Sequence, residues 1–482
     1  MEADNPTKLN LRLSLSVPVL HLADPAANLA EIQAILHETP KPEGRPLLHL
    51  FPELCLTGKT CGDLFFQQLL IEKSADCLRV LEKTCMEESV FAIIGLPLLL
   101  GGTLYNAAAL LSPEGLLRFS LQTQPAADGL ERWFSPSADC KALQTEWAGR
   151  LVPISGDMAF REAAFGDSLL QIVVGSPDHA RLNPFAALVL NPAAEPALAP
   201  AEMPEPWAKR YAAERRNITA SCSAGPWESS TDAVYSGEAC LCQKGNLLTQ
   251  TEPLSFEAQT VYYDLMIKNE TDNTIGIIKD TTYINSEINK APYLNQSEPE
   301  QQFKRLLDIQ ATALARRLVQ TRQRKLILGI SGGSDSSHAL LVCLHAFRRL
   351  GYDPKDIIAV SMPGPGSSAE SRARSNQLVS LAGMSYRVIP IEDALRVHLR
   401  DIGQPQDQFD TSYENAQARE RTQILMNLAN REAALMVGTG DMSEIALGWS
   451  TYNGDQMSFY NPNAGLPKTM LLRLLVWAGG YL

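Results

Sequence analysis

The feature that most constrains this chain lies between Leu326 and Leu350. A short apolar run, LILGI (326–330), ends in Ser331-Gly332-Gly333-Ser334-Asp335-Ser336-Ser337, and a helical pattern, His338–Leu350, follows. A strand, a tight glycine turn and a helix in direct succession place the loop at the carboxyl edge of a parallel sheet, where ligands bind in α/β proteins. Two glycines let the backbone come close to an anion. Successive N–H groups form a nest, the helix N-terminus adds partial positive charge, and serine hydroxyls add donors. The surrounding chain has the matching βαβ rhythm: DIIAVSM (356–362), YRVIPI (386–391) and AALMVGTG (433–440) are short buried-type strands, with helical stretches such as Arg372–Leu381 between them. This predicts an α/β domain with a doubly wound parallel sheet.

The loop lacks the Gly-Lys-[Ser/Thr] ending of γ-phosphoryl-transfer loops. Its SGGxDS pattern marks a pyrophosphatase loop, which holds the β- and γ-phosphates of ATP while a substrate attacks the α-phosphorus. Asp335 is placed to hold the Mg²⁺ that offsets their charge. A second constellation follows. Glu414–Arg421 opens a helix on which Asn415 and Arg419 share one face, as do Gln417 and Arg421. The next strand runs into Gly438-Thr439-Gly440-Asp441-Met442-Ser443-Glu444 and on through Trp449, Asp455 and Pro467-Lys468-Thr469.

Taken in order, SGGSDSS, ENAQARERT, GTGDMSEIALGW, TYNGDQMS and PKT resemble the NAD synthetase family. The resemblance implies a Rossmann-like synthetase domain that amidates deamido-NAD (nicotinic acid adenine dinucleotide) through an adenylated intermediate. It assigns Ser331, Gly332, Gly333, Ser334, Asp335, Ser336, Ser337 and Thr439 to ATP, with Lys468 on its phosphates. Asp335 and Glu444 would hold Mg²⁺, and Asn415, Arg419, Glu444, Trp449 and Asp455 would meet the dinucleotide. Asp335, Glu444 and Lys468 are the expected catalytic groups. The Asn415–Arg421 and Thr439–Trp449 motifs do not fit GMP or asparagine synthetases, which also carry pyrophosphatase loops.

The first half alternates apolar runs with turns: LRLSLSV, PLLHLFPEL (46–54), SVFAIIGLPLL (89–99), YNAAALLS (105–112), LLQIVV (169–174) and FAALVLN (185–191). Helical stretches fall at Ala26–Leu36 and Asp63–Thr84. Residues 268–300, rich in Asn, Thr, Lys, Glu and Pro, read as a surface linker, and Phe303–Gln320 as an amphipathic helix. The expected domains are 1–265, a linker 266–300, and 301–482.

Phe51-Pro52-Glu53-Leu54 with Thr57-Gly58, then Leu104-Tyr105-Asn106, then Glu228–Asp232 resemble the nitrilase-like glutaminase domain of the larger NAD synthetases. That implies an α-β-β-α sandwich and a Glu, Lys and Cys that release ammonia from glutamine. Glu53 stands in the Glu position. Where the family has Lys, this chain reads Leu121-Gln122-Thr123, ahead of Arg132-Trp133-Phe134. Where the family has its Cys, the chain reads Ile172-Val173-Val174-Gly175, which puts Val173 at the nucleophile. The expectation is a pseudo-glutaminase that depends on external ammonia. Family members also continue well beyond Thr469, so the resemblance implies a C-terminally incomplete synthetase domain. The alternative is a non-catalytic subunit, structural or regulatory, assembled with an active relative.

Composition sets the remaining bounds. The 482 residues exceed one ordinary core. A formal charge of −12 disfavours nucleic acid as the main partner. Nine scattered cysteines without CxxC pairs fit a reducing compartment. The start MEADNPTKLN has no basic segment leading into an apolar run, and no stretch reaches the length of a membrane span. The expected setting is the cytoplasm and the expected state a homo-oligomer.

Overall fold

The computed structural model describes residues 9–124, 130–177, 180, 182–199, 207–215, 217–267, 294, 299–365, 368–405 and 407–481. The chain forms two compact units, Met1–Ala197 with Met203–Glu287, and Leu198–Glu202 with Ile288–Leu482.

In the first unit, β1 (Leu9–Val17), β2 (Leu47–Leu50), β3 (Phe91–Leu100), β4 (Thr103–Ser112), β5 (Gly115–Leu121), β6 (Gln144–Trp147) and β7 (Arg150–Gly156) join one sheet. A second sheet holds β8 (Ala159–Phe160), β9 (Leu170–Ile172), β10 (Leu188–Ala193), β11 (Ile218–Ser223), β12 (Ala239–Gln243) and β13 (Asn246–Gln250). The last strand, β14 (Gln259–Ile267), returns to the first sheet, whose order is β14-β1-β2-β3-β4-β5-β7-β6; the second runs β13-β12-β11-β10-β9-β8.

Strand alternation decides what each face buries. Leu9, Leu11, Leu13 and Leu15 of β1, with Phe91 and Ile93 of β3, meet Ile172, Leu188, Leu190, Ile218 and Leu241 between the sheets. The intervening Ala92, Ile94, Leu96 and Leu98 face the other way. There Ile32 and Leu36 of α1 (Pro25–Glu38) and Leu78 and Leu81 of α2 (Gln68–Glu88) cover them. Beyond the second sheet, Ala208 and Ala212 of α3 (Trp207–Arg215) pack on Cys240 and Cys242. The result is the expected α-β-β-α sandwich.

Two local expectations need correction. The stretch Asp63–Thr84 is a 3₁₀ turn at Gly62–Phe66 followed by α2, because Gln67 is extended and Phe65 turns into a cluster with Leu54, Leu130 and Phe134. Leu198 and Ala199 belong with the second unit, where their carbonyls accept bonds from Arg305 and Gln302. The first two residues of the expected linker complete β14, and most of the rest lies outside the described residues.

Gly95 shows how tightly β3 supports the Phe51–Leu54 turn. A Cβ there would lie 2.5 Å from the Pro52 carbonyl oxygen and against the Leu54 amide, both backbone atoms that cannot rotate away. Gly95→Ala is therefore expected to cost about 1–3 kcal/mol or more, as overpacking does. Thermal unfolding checks this, and a wild-type melting curve would show that the turn can move.

In the second unit, β15 (Lys325–Gly329), β16 (Ile357–Ser361), β17 (Ser385–Val388) and β18 (Ala434–Val437) form a parallel sheet of order β17-β16-β15-β18. The helices are α4 (Pro299–Thr321), α5 (Ser334–Leu350), α6 (Ala369–Ala382), α7 (Glu392–Asp401), α8 (Thr411–Glu432), α9 (Met442–Leu447) and α10 (Lys468–Tyr481). Leu425 and Ala429 of α8 cover Ile327, Ile358 and Met436. Leu326 and Leu328 point to the opposite face, and α5 packs against β15 and against α4 and α10. The chain runs outward from β15 through β17 and then returns to place β18 on β15's other side. The switch point, where a crevice opens, is thus between β15 and β18.

Candidate functional site

Both sequence-predicted loops leave the sheet at that switch point: Ser331–Ser337 after β15 and Gly438–Asp441 after β18. They border a cavity of about 590 Å³ lined by Ser331, Ser336, Arg372, Arg421, Thr439 and Asp455 among others. Gly332 sits at φ +78°, and a Cβ there would lie 2.5 Å from the Ser371 carbonyl oxygen. The left-handed turn and the close approach both require glycine. Gly333 precedes α5 without a side-chain cap, which leaves first-turn N–H groups to meet an anion. The hydroxyls of Ser336 and Ser337 both donate to the Gly333 carbonyl, and Gly333 N–H donates to Ser331 Oγ at 3.2 Å. The loop is held in shape by its own serines.

Asp335 lies in the first turn of α5. Its Oδ2 is 2.6 Å from Lys468 Nζ, which is also 3.2 Å from Asp441 Oδ2. Asp441 is wholly buried and caps α9. Its Oδ1 accepts from Glu444 N–H at 2.8 Å, and Glu444 Oε2 accepts from Asp441 N–H at 3.2 Å. Burial, then the charges of Asp441 and Asp335, raise the Glu444 carboxyl above its ordinary range. Burial pushes Lys468 down, but its bonds to Asp335 and Asp441 outweigh this and hold the ammonium more firmly than usual.

Among the described residues, Asp335, Asp441 and Glu444 each offer a carboxylate oxygen within 4.8 Å of the others. Asp335 Oδ1 is buried without a hydrogen bond, and Asp441 Oδ2 is buried with its ion pair to Lys468. Hard carboxylate oxygens so placed suit Mg²⁺, so these residues fit the ion expected there.

Asn415, Arg419, Trp449 and Asp455 are brought to one loop. Asn415 Oδ1 accepts from Thr451 Oγ at 2.8 Å, Arg419 Nε donates to the Tyr452 carbonyl at 3.1 Å, and Asp455 Oδ1 accepts from Thr451 N–H at 2.7 Å. Trp449 is 78% exposed. Of these four, Asp455 lines the 590 Å³ cavity and the others do not.

The sequence reading left three groups of this unit without a role. Asp441 stands within its motif with no expected role, although Asp441-x-x-Glu444 is a capping-box signature. Arg421, sharing α8's other polar face with Gln417, enters the cavity, and burial lowers its pKa. Asn463, wholly buried, clasps the two loops together. Its Nδ2 donates to the carbonyls of Asp335 and Thr439, each at 3.0 Å, and its Oδ1 lies 2.8 Å from His338 Nδ1. Nothing in the YNPNAG segment marks that role.

In the first unit, Glu53, Asn106 and Gln122 converge at strand ends. Asn106 Nδ2 donates to Glu53 Oε1 at 2.5 Å and Gln122 Oε1 at 3.1 Å; Lys59 Nζ is 3.9 Å from Glu53 Oε2 and donates to the Ala194 carbonyl at 2.8 Å. All four side chains are buried. Val173 is not among them. Its side chain faces the outer layer, packed with Ala186, Val189 and Tyr211, because Ile172, the last residue of β9, and Val174 beyond it enter the inter-sheet core and leave Val173 turned away. The residue that faces Gln122 and Glu53 is Gly175, at φ +75°, where a Cβ would press on Gln122 Nε2 and lie 3.5 Å from Glu53 Oε1. Gly175, two residues beyond Val173, is thus the position of this segment that faces Glu53 and Gln122.

No described helix is long and apolar enough to cross a membrane. The family model for NAD synthase matches residues 307–479. The glutamine-dependent NAD(+) synthetase of Mycobacterium tuberculosis (strain H37Rv) is 28% identical across 95% of this chain and 73% of its own length. Among solved structures, the chain is similar in fold to a glutamine-dependent NAD(+) synthetase from Cytophaga hutchinsonii (TM-score 0.78, 19% identity, 97% of this chain and 81% of that one). It is likewise similar to the ADP complex of glutamine-dependent NAD+ synthetase from Acinetobacter baumannii (TM-score 0.75, 17% identity, 98% and 82%).

Proposed function

We propose that this chain, matched by the NAD synthase family model over residues 307–479 and similar over 95% of its length to a glutamine-dependent NAD(+) synthetase, is a member of that family whose second unit converts deamido-NAD to NAD with ATP and external ammonia. The observation that carries this is the meeting, at one switch point, of a glycine-serine loop, three carboxylates and Lys468. In this reading Ser331–Ser337 and Thr439 hold ATP, and Lys468 meets its phosphates. The nicotinate carboxylate oxygen bonds to the α-phosphorus as pyrophosphate leaves. Ammonia then bonds to the acyl carbon, AMP departs with the shared oxygen, and the excess proton passes to water. Asp335 and Glu444, with Asp441 added by its place in the cluster, would hold Mg²⁺, which offsets triphosphate charge when bound. Arg421 and Arg372 line the same cavity and supply further positive charge.

The test is incubation with ATP, Mg²⁺, deamido-NAD and ammonium while NAD and AMP are followed. Equal yields of the two are expected. ATP binding without AMP would favour the alternative reading, a non-catalytic subunit assembled with an active relative, for which the empty nucleophile position at Gly175 also speaks. For the active synthetase, a homo-oligomer is the assembly we propose.

In this reading the dinucleotide meets the face formed by α8 and the Trp449–Asp455 loop. Arg419→Ala is expected to cost about 1.5–3 kcal/mol of deamido-NAD binding, the worth of a charge-assisted hydrogen bond, while ATP affinity holds. Calorimetric titration checks it. Unchanged dinucleotide affinity would make that part of α8 an ordinary solvated face.

A further inference from the structure

Three carboxylates within 4.8 Å of one another repel strongly in a partly dry crevice unless a cation stands among them. The chain supplies one from its own sequence. Lys468 Nζ reaches Oδ2 of Asp335 and Oδ2 of Asp441, two of the three carboxylates that would hold a divalent ion, at 2.6 and 3.2 Å. Asp441 cannot turn away, since it is wholly buried and its other oxygen caps α9. Lys468 can. It opens α10, its side chain is 37% exposed, and a four-carbon stem lets the ammonium move without disturbing the core.

We infer that Lys468 is an internal counter-ion that holds the acidic cluster together until Asp335 and Asp441 take a divalent cation, and that the two cations exclude each other. With Asp441 Oδ1 committed to the α9 cap, the ammonium stands against the one oxygen that Asp441 has left for an ion needing still shorter contacts, and the like charges repel. Once displaced, the ammonium is free to meet phosphate. The inference rests on the synthetase reading and gives its site an order: the acidic cluster loads first, and Lys468 turns to the nucleotide second.

The experiment is calorimetric titration of the full chain with Mg²⁺ alone, without nucleotide. Lys468→Met should bind Mg²⁺ about tenfold or more tighter than the unmutated chain, since a close charged rival is gone. Lys468→Arg, which keeps the charge, should not, and adding Asp441→Asn to Lys468→Met should reverse the gain. Unchanged or weaker Mg²⁺ binding by Lys468→Met overturns the inference. If that variant folds poorly for want of a cation, its melting temperature should rise with Mg²⁺ more steeply than that of the unmutated chain, and an equal or flatter response overturns the inference as well. The two readings fail separately. A chain that makes NAD but shows no gain in Lys468→Met loses only the exchange, whereas one that shows the gain but forms no AMP from ATP and deamido-NAD loses the synthetase reading.

Discussion

Glutamine supplied in place of ammonium is expected to yield no NAD and release no glutamate. Amide hydrolysis of this type needs a nucleophile within bonding reach of the carbonyl carbon and a cation or donor for the oxyanion. At the position facing Glu53 the chain has Gly175, with no side chain, and beside it the neutral Gln122. Val173 could not substitute even as cysteine, because it faces Tyr211 in the outer layer. Loss of an oxyanion donor alone typically costs about 10²–10³ in rate, and loss of a nucleophile about 10⁶.

Lys59 does bring positive charge near Glu53, yet its ammonium is bound to the Ala194 carbonyl. Gly175→Cys alone should therefore not restore activity, the more so because φ +75° strains any residue with a Cβ. Gly175→Cys with Gln122→Lys is the pair that could restore it. Glutamate release by the unmutated chain, measured with ammonium absent, would mean that another group is the nucleophile.

The second large effect is expected at Asp335. Asp335→Ala should reduce Mg²⁺-dependent release of AMP and pyrophosphate by about 10²–10³ or more, the scale of removing one electrostatic element from a preorganised site. The side chain meets Lys468 and shares the acidic cluster with Asp441 and Glu444, so its loss leaves Lys468 with one strong partner and the cluster with two carboxylates. Circular dichroism separates this from unfolding. Glu444 needs a gentler change, because its carboxylate also accepts from Asp441 N–H and losing a cap costs about 1 kcal/mol. Glu444→Gln keeps an acceptor there while removing the charge. Near-normal pyrophosphate release by Asp335→Ala would remove it from the metal site.

Some of this could be read from the sequence alone because its causes are local. The alternation in LRLSLSV and the doubly buried FAIIGLPLL specify strands through neighbouring side chains. The SGGSDSS loop specifies its own turn, since only glycine accepts the conformation at Gly332 and the serine bonds close within six residues. The order of those motifs carried the family resemblance. Face and proximity are different matters.

Whether Val173 or Gly175 looks at Glu53 depends on which side of β9 meets the inter-sheet core, and a four-residue match cannot report that parity. Asp441 joins Asp335, and Asn463 ties both loops, only because β18 lies beside β15. Lys468 enters the acidic cluster because α10 starts where α9's cap is buried. Local patterns determined the strands, the phosphate-type loop and most residues of the candidate site. The tertiary structure alone decided which charges touch, because electrostatic contact depends on distances of a few ångströms between groups far apart in the chain.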